Sequence, residues 1–355
     1  MQRIGYQKVN CSHSATPGVP EQQNPGELKT PFRDSCARMN VCPNRYRMPL
    51  LRSTFIALSR NSRLRNFAEQ SSLGRRMSSR FVAGFRIDDA LAAAAALNAQ
   101  GLSVTLDSLG ENVTTPAEAR QSAEVYHHLL DSIAHSRLDA NVSLKLTQMG
   151  MDLSPALAEE IVSGLVGRAV QSDNFVRVDM EGSGYTQATI DLVRRLHAVP
   201  ENRGHVGIVI QSYLRRSAPD IATLLANRIR IRLCKGAYQE PPDLAFPDKK
   251  DVDGNYVALT KTLLTSGVFH GIATHDEAMI DATKRFASEN AIDPATFEFQ
   301  MLYGVRRDLQ RALVAEGYKV RVYVPFGDEW YPYFMRRLAE RPANVVFIAR
   351  QMLRK

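Results

Sequence analysis

Tyr333, Arg336 and Arg337 stand at spacings i, i+3 and i+4, which on a helix share one face. An aromatic wall and two guanidinium forks projecting together are suited to holding a carboxylate bidentately. The bland alternative is a solvated arginine pair beside core aromatics, so the elements around the motif have to decide. The run Lys319–Val324 is apolar and β-rich and gives way to Pro325 and Gly327. Asp328 and Glu329 follow and suit the start of a helix, where acidic side chains meet the positive end of the dipole.

Other chemistry-bearing residues recur at comparable places. Short β-branched runs, each followed by polar residues and then a helical pattern, predict strands at Leu102–Leu106, Asn141–Leu146, Phe175–Met180 and Val206–Ile210. Four more are expected at Ile229–Leu233, Val268–Ala273, Phe297–Leu302 and Lys319–Val324. Helices are predicted between them, at Ala117–Ser136, Pro155–Ala169, Thr186–Val199, Ala218–Ala226, Tyr256–Thr265, Glu277–Glu289 and Arg306–Glu316. Eight βα units in succession predict a closed (β/α)8 barrel of the α/β class. A doubly wound sheet is the alternative, disfavoured because no Gly-x-Gly-x-x-Gly follows a strand.

In such a barrel the chemistry sits at the C-terminal strand ends. Those ends carry Asp107 and Glu111, Lys145, Asp179 and Glu181, Gln211 and Tyr213 in turn. They continue with Arg232, Lys235, Gly236 and Tyr238, then Thr274, His275 and Asp276, Gln300 and Leu302, and Tyr323. Any one of them could be a strand end meeting solvent; together they predict a polar active-site mouth. The cations Lys145, Arg232, Lys235, Arg336 and Arg337 exceed what one small carboxylate needs. They suggest a cofactor with phosphates or a ring that becomes anionic. Without a dinucleotide fingerprint, a flavin across the mouth fits better than a nicotinamide.

Composition bounds the rest. The chain has 355 residues, net charge +8 and four cysteines, none in C-x-x-C spacing. That pattern predicts reduced thiols and no metal site. The charge suits anionic ligands or an anionic membrane surface as well as nucleic acid, but no nucleic-acid signature accompanies it. No apolar run approaches a membrane span, and no signal-peptide h-region follows the first basic residues. Residues 1–47 read as disordered or extraneous, with Met48 the expected biological start. Residues 48–100 read as a helical arm, basic and intermittently amphipathic over Arg52–Arg80, with a helix at Asp88–Gln100 closed by Gly101. The catalytic barrel is expected over residues 101–355.

The ordered motifs Leu-Asp-Ser-Leu-Gly-Glu (106–111), Ser-Leu-Lys-Leu-Thr (143–147), Val-Asp-Met-Glu (178–181) and Val-Ile-Gln-Ser-Tyr (209–213) resemble bacterial monofunctional proline dehydrogenases. So do Arg-Leu-Cys-Lys-Gly-Ala-Tyr (232–238), Ala-Thr-His-Asp (273–276), Phe-Glu-Phe-Gln-Met-Leu-Tyr-Gly (297–304) and Tyr333-x-x-Arg336-Arg337. The catalytic domain of proline utilization A is similar. The resemblance implies a distorted barrel with its last helix over the mouth, FAD as cofactor, and L-proline oxidised to Δ1-pyrroline-5-carboxylate. It implies that Arg336, Arg337 and Lys145 hold the carboxylate, and that Tyr238, Leu302, Tyr323 and Tyr333 pack around the ring. Asp179 would orient Tyr323, and Glu111 would pair with Arg336 as a gate. Arg232 would lie near flavin N5 and Lys235 near the pyrimidine edge. Gln211, Met180, Gly236, Ala237, Thr274, His275 and Glu340 would meet other parts of FAD. Asp276 stands where the family has asparagine, and Cys234 where a β-branched residue is usual.

The resemblance also implies a quinone acceptor at a membrane surface. The expected location is cytoplasmic, with peripheral contact at the inner face of the plasma membrane left open. Two rival readings are a Schiff-base lyase using Lys145 or Lys235, and a non-enzymatic protein binding nucleic acid or membrane through its basic arm.

Overall fold

The computed structural model describes residues 71, 78–110 and 113–340, the side chains of 336–340 excepted. All belong to one compact unit spanning Tyr46–Lys355. The expectations for residues 1–47 and for most of the basic arm lie outside the described residues, as do Glu111 and everything after Glu340.

Eight parallel strands close into a barrel in sequence order: β1 (Ser103–Ser108), β2 (Ala140–Leu144), β3 (Val176–Val178), β4 (Val206–Gln211), β5 (Arg230–Cys234), β6 (His270–Ala273), β7 (Phe297–Leu302) and β8 (Lys319–Phe326). β8 pairs back onto β1, with Ser103 opposite Arg321 and Ser108 opposite Phe326. The helices are α1 (Ile87–Asn98), α2 (Pro116–Ser136), α3 (Pro155–Gln171), α4 (Thr186–Ala198), α5 (Ser217–Ala226), α6 (Lys249–Leu264), α7 (Glu277–Glu289), α8 (Arg307–Ala315) and α9 (Trp330–Glu340). The closed sheet bears out the barrel and sets aside the doubly wound alternative.

Local chemistry explains the helix starts. Thr115 accepts from the Glu118 amide at 3.2 Å while the Glu118 carboxylate accepts from the Thr115 amide at 3.3 Å, satisfying two orphan donors reciprocally. Pro116 follows at the first helical position, where its missing N–H costs nothing. Boundaries differ from the sequence reading in three instructive places. α6 begins at Lys249 rather than Tyr256. Its first two turns are polar and carry no apolar period, but Lys249 and Asp253 pair at i, i+4 and Lys235 holds Asp253 at 2.5 Å. β2 and β3 are shorter than expected, so Lys145 and Asp179 stand just beyond their strands. β8 instead continues through Pro325 to Phe326. Pairing with β7 ends at Tyr323, and on that side the Pro325 carbonyl accepts from the Ala83 amide at 2.9 Å. The missing amide of Pro325 therefore breaks no ladder bond.

Alternation sorts the strand residues into two layers. Val104, Leu106, Val142, Leu144, Ile208, Ile210, Ile231, Leu233, Phe299 and Val322 join the apolar core between sheet and helices. The intervening positions make a polar lumen in place of the usual branched aliphatic filling. At its N-terminal end, Arg321 grips Glu298 through Nε at 2.9 and 3.0 Å, and Arg177 donates to the carbonyls of Ile208 and Arg230. Gln300 joins the tiers: its amide donates to Glu298 at 2.6 Å, and its oxygen accepts from Arg232 Nε.

The barrel is distorted at the seam. α1 packs on β1, β8 and α2, the wall position that a helix following β8 fills in a regular barrel. α9 is thereby released to the mouth. Trp330, Tyr331, Tyr333, Phe334 and Met335 form one buried cluster with Phe81, Val82, Leu109 and Val305, and half-buried Leu302 packs against it. Leu109 follows β1 and Leu302 ends β7, so the cluster fastens α9 over the C-terminal strand ends.

Candidate active site at the barrel mouth

Asp179, one residue past β3, is the hub. Its Oδ1 accepts from Ser143 Oγ at 2.6 Å and Arg232 Nη1 at 2.8 Å, and its Oδ2 from the Tyr323 hydroxyl at 2.8 Å. The Arg232 guanidinium also lies over the Tyr323 ring, 5.2 Å from its centroid. Three strands and the turn after β3 thus converge on one carboxylate, and Arg232 and Tyr323 have little freedom left. Loss of solvent around the Tyr323 hydroxyl, with Asp107 and Asp179 beside it, holds the phenol well above its ordinary titration range; it is neutral and a donor.

Beside this hub, Lys145 Nζ stands 3.3 Å from both carboxylate oxygens of Asp107. Burial pushes the Asp107 carboxyl up; Lys145 opposes that shift and Asp179 adds to it. On the opposite rim, Lys235 Nζ is held by Asp253 at 2.5 Å and Asp276 at 2.8 Å. The Lys235 bond, opposed by burial, keeps Asp276 below the usual carboxylate range. Asp276 also caps α7 by accepting from the Ala278 amide. An aspartate there serves as a cap and as a counter-ion to Lys235.

Most of the other expected residues that the structure describes stand at or just past strand ends. Gln211 donates to the carbonyls of Met180 and Glu181 at 3.0 and 3.1 Å. Its own oxygen is buried with no hydrogen-bond partner among the described residues. Gly236 has φ +108°, and a Cβ there would collide with the Tyr213 ring, so only glycine fits this close approach. Thr274 accepts from the Asp276 amide through its hydroxyl and donates its own amide to the Gln300 carbonyl. His275 Nε2 accepts from the Leu302 amide at 2.8 Å, which puts the ring proton of the neutral imidazole on Nδ1. Tyr238 and Ala237 lie exposed on the loop after β5, while Tyr333 is buried in the α9 cluster beside Leu302. Arg336, Arg337 and Glu340 belong to α9, their side chains outside the described residues, as is Glu111.

Sequence reading gave no role to Asp107 or Gln300, though both lay on the expected rim, and it passed over Ser143, Tyr126 and Asp253. The period of two along β1, β2 and β7 could have flagged the first three as lumen-facing. Tyr126 and Asp253 come from helices and carry no such signal.

A lumen of alternating cations and carboxylates, a desolvated phenol, and a buried Gln211 oxygen unpartnered among the described residues offer donors and acceptors to a large planar heterocycle. A flavin fits this set. The Gln211 oxygen can accept from a ring N–H, and Arg232 and Lys235 can face a ring that gains negative charge.

A sequence profile described as proline dehydrogenase matches residues 90–350. The chain belongs to the proline dehydrogenase family. Proline dehydrogenase 1 of Bacillus subtilis subsp. natto is 42% identical over 307 residues, covering 86% of this chain and all of that protein. Proline dehydrogenase of Deinococcus radiodurans is 40% identical over 313 residues, covering 86% of this chain and 98% of the relative. Among solved structures, proline utilization A from Bdellovibrio bacteriovorus inactivated by N-propargylglycine superimposes with a TM-score of 0.72 at 25% identity. That match covers 82% of this chain and 36% of the larger polypeptide. Membership in the proline dehydrogenase family makes the chain an oxidoreductase whose class acts in proline oxidation. No helix among its described residues is long and apolar enough to cross a membrane.

Proposed function

We propose that the protein oxidises L-proline to Δ1-pyrroline-5-carboxylate with FAD bound across the barrel mouth, the first step of proline catabolism toward glutamate. The observation that carries this reading is the convergence at the C-terminal strand ends of the Asp179–Arg232–Tyr323 network and, beside it, the Lys145–Asp107 pair. When bound, FAD would supply the acceptor for a hydride from proline C5. The chain's own share is binding and orientation. Lys145, with Arg336 and Arg337 from α9, holds the substrate carboxylate and so sets which ring carbon faces the flavin. Tyr323, pinned by Asp179, and Tyr238, Tyr333 and Leu302 wall the pyrrolidine ring. The aromatic seat of α9 excludes water, and Glu111 pairs with Arg336 to favour the closed helix.

Arg232, Gln211, Met180, Lys235, Gly236, Ala237, Thr274, His275 and Glu340 would hold the cofactor. A quinone at a membrane surface accepts the electrons, with the protein in the cytoplasm.

The test is spectroscopic. Purified protein should show flavin absorbance in roughly stoichiometric amount, and anaerobic L-proline should bleach it. A colourless protein that borohydride cross-links to a carbonyl substrate through Lys145 or Lys235 would overturn this reading in favour of a lyase.

A further inference from the structure

The side chain of Asp107 is 1% exposed, whereas that of Lys145, its ion partner, is 12% exposed. Asp107 lies within β1 and Lys145 just past β2, so the ammonium is the more accessible partner and the carboxylate the more enclosed one. Its surroundings are unusually fixed. Tyr126 reaches inward from α2, on the outer wall, and places its hydroxyl 3.5 Å from Asp107 Oδ1. The same hydroxyl accepts from the Ser108 amide at 3.3 Å and lies 3.1 Å from Gln148 Oε1. Gln148 in turn donates to the Ser108 carbonyl at 3.0 Å. The backbone just after Asp107 is thus tied both to the wall helix and to the turn after β2.

Lys145 has four methylenes and three freely rotating donors, and it directly follows the end of β2. A flexible cation of that kind has no preferred position unless a fixed anion supplies one. Asp179 is already engaged by Arg232, Ser143 and Tyr323. Among the described residues, Asp107 is the carboxylate seen to face the ammonium with both oxygens.

We infer that Asp107 is a positioning residue for substrate recognition: it fixes the Lys145 ammonium at the mouth and keeps it charged for the substrate carboxylate. The inference rests on the proline-binding role proposed for Lys145. The described charged or titratable groups facing the pair are Asp179 past β3, Tyr323 from β8, Tyr126 from α2 and, through Asp179, Arg232 from β5. Burial and the two carboxylates hold both phenols well above their ordinary range, so neither titrates near neutral pH.

Cyclopentanecarboxylate tests this, because it keeps the carboxylate and ring of proline but lacks the titrating nitrogen. Its binding to the flavin-loaded protein is measured calorimetrically from about pH 6 to about pH 9.5, a range in which the ligand's own charge is constant. The unaltered protein should bind it with little pH dependence until the alkaline end. Asp107→Asn should bind it at least tenfold more weakly, and binding should fail at a pH lower by about one unit or more, because removing a neighbouring anion disfavours a cation by that order. Adding Lys145→Arg to Asp107→Asn should restore a flat profile, since a guanidinium stays protonated throughout.

A profile for Asp107→Asn that coincides with the unaltered one, or a slope that survives Lys145→Arg, overturns the inference while leaving the proposed function intact. If Asp107→Asn yields no folded protein, Asp107→Glu decides. It keeps the charge but displaces the ammonium, so it should bind more weakly at every pH with no added slope, and unchanged affinity overturns the inference. No binding to the unaltered protein overturns the proposed function, and the inference with it.

Discussion

Asp179 shows how one side chain can set the character of two others. With Ser143, Arg232 and Tyr323 all donating to it, its charge is shared among three hydrogen bonds, one of them from a cation, in a largely enclosed place. Such bonds to an ionised group are worth roughly twice a neutral pair. Tyr323 is therefore held in place with its hydroxyl already committed, and under the proposed function it is a wall of the substrate pocket. A ring hydroxyl on the substrate at that position would have to displace a fixed phenol. Tyr323→Ser should therefore narrow the preference for proline over trans-4-hydroxyproline, chiefly by weakening proline binding. Each site contact of this kind contributes about 1–3 kcal/mol, a change of ten- to a few hundred-fold in relative kcat/KM. Steady-state kinetics on both substrates give the answer, and an unchanged ratio of the two kcat/KM values would remove Tyr323 from the specificity wall.

At the scale of elements, the mouth owes its roof to an exchange of helices. α1, which precedes β1, fills the wall beside β8 and β1, and α9 is free to lie over the strand ends. What holds α9 there is aromatic burial: Phe334 stacks edge-on to Trp330 at 5.6 Å and lies 6.2 Å from Phe81. Since α9 carries Arg336 and Arg337, weakening that seat should act on substrate more than on cofactor. Phe334→Ala removes a buried ring worth about 3–5 kcal/mol in a core. Here the loss should appear as local undocking, with KM for proline raised at least tenfold and flavin content kept. A variant that loses flavin and proline affinity together would show that α9 supports the whole barrel mouth and is no separable lid.

For the molecule as a whole, a charged lumen makes stability depend on pH. His270 opens β6 fully buried, with Nδ1 accepting from the Ile231 amide and Nε2 3.0 Å from Ser266 Oγ. Burial first, and then Arg177 and Arg230, lower its pKa from 6.5 to about 3. Below pH 6.5 the unfolded chain binds a proton that the folded one refuses until about pH 3. This site's contribution to stability is therefore intact above that window and falls through it, by about 1.4 kcal/mol per pH unit for one proton. Urea unfolding from about pH 6.5 to about pH 4.5, above the carboxylate range, should show this slope. His270→Asn, which keeps an acceptor for the Ile231 amide, should lose that part of it. Equal slopes in both proteins would place the acid sensitivity elsewhere in the lumen.

The alternation of strand and helix patterns, the count of eight units and the polar residues at strand ends could all be read from the sequence. Each is a local property: a period of two or of 3.6, or a residue type at the edge of an apolar run. That was enough for the barrel and for a mouth containing Lys145, Asp179, Arg232 and Tyr323. Which of these residues bond to one another was decided only by tertiary structure. The Tyr323–Asp179 bond joins residues 144 apart in sequence, and Arg321 reaches the Val104 carbonyl across 217. Such partners are set by the register in which β8 closes on β1, and a shift of two residues would leave every local pattern intact while re-pairing the lumen. The pairing of Lys235 with Asp253 is likewise tertiary, because it joins the loop after β5 to the polar opening of α6, which carries no apolar period of its own.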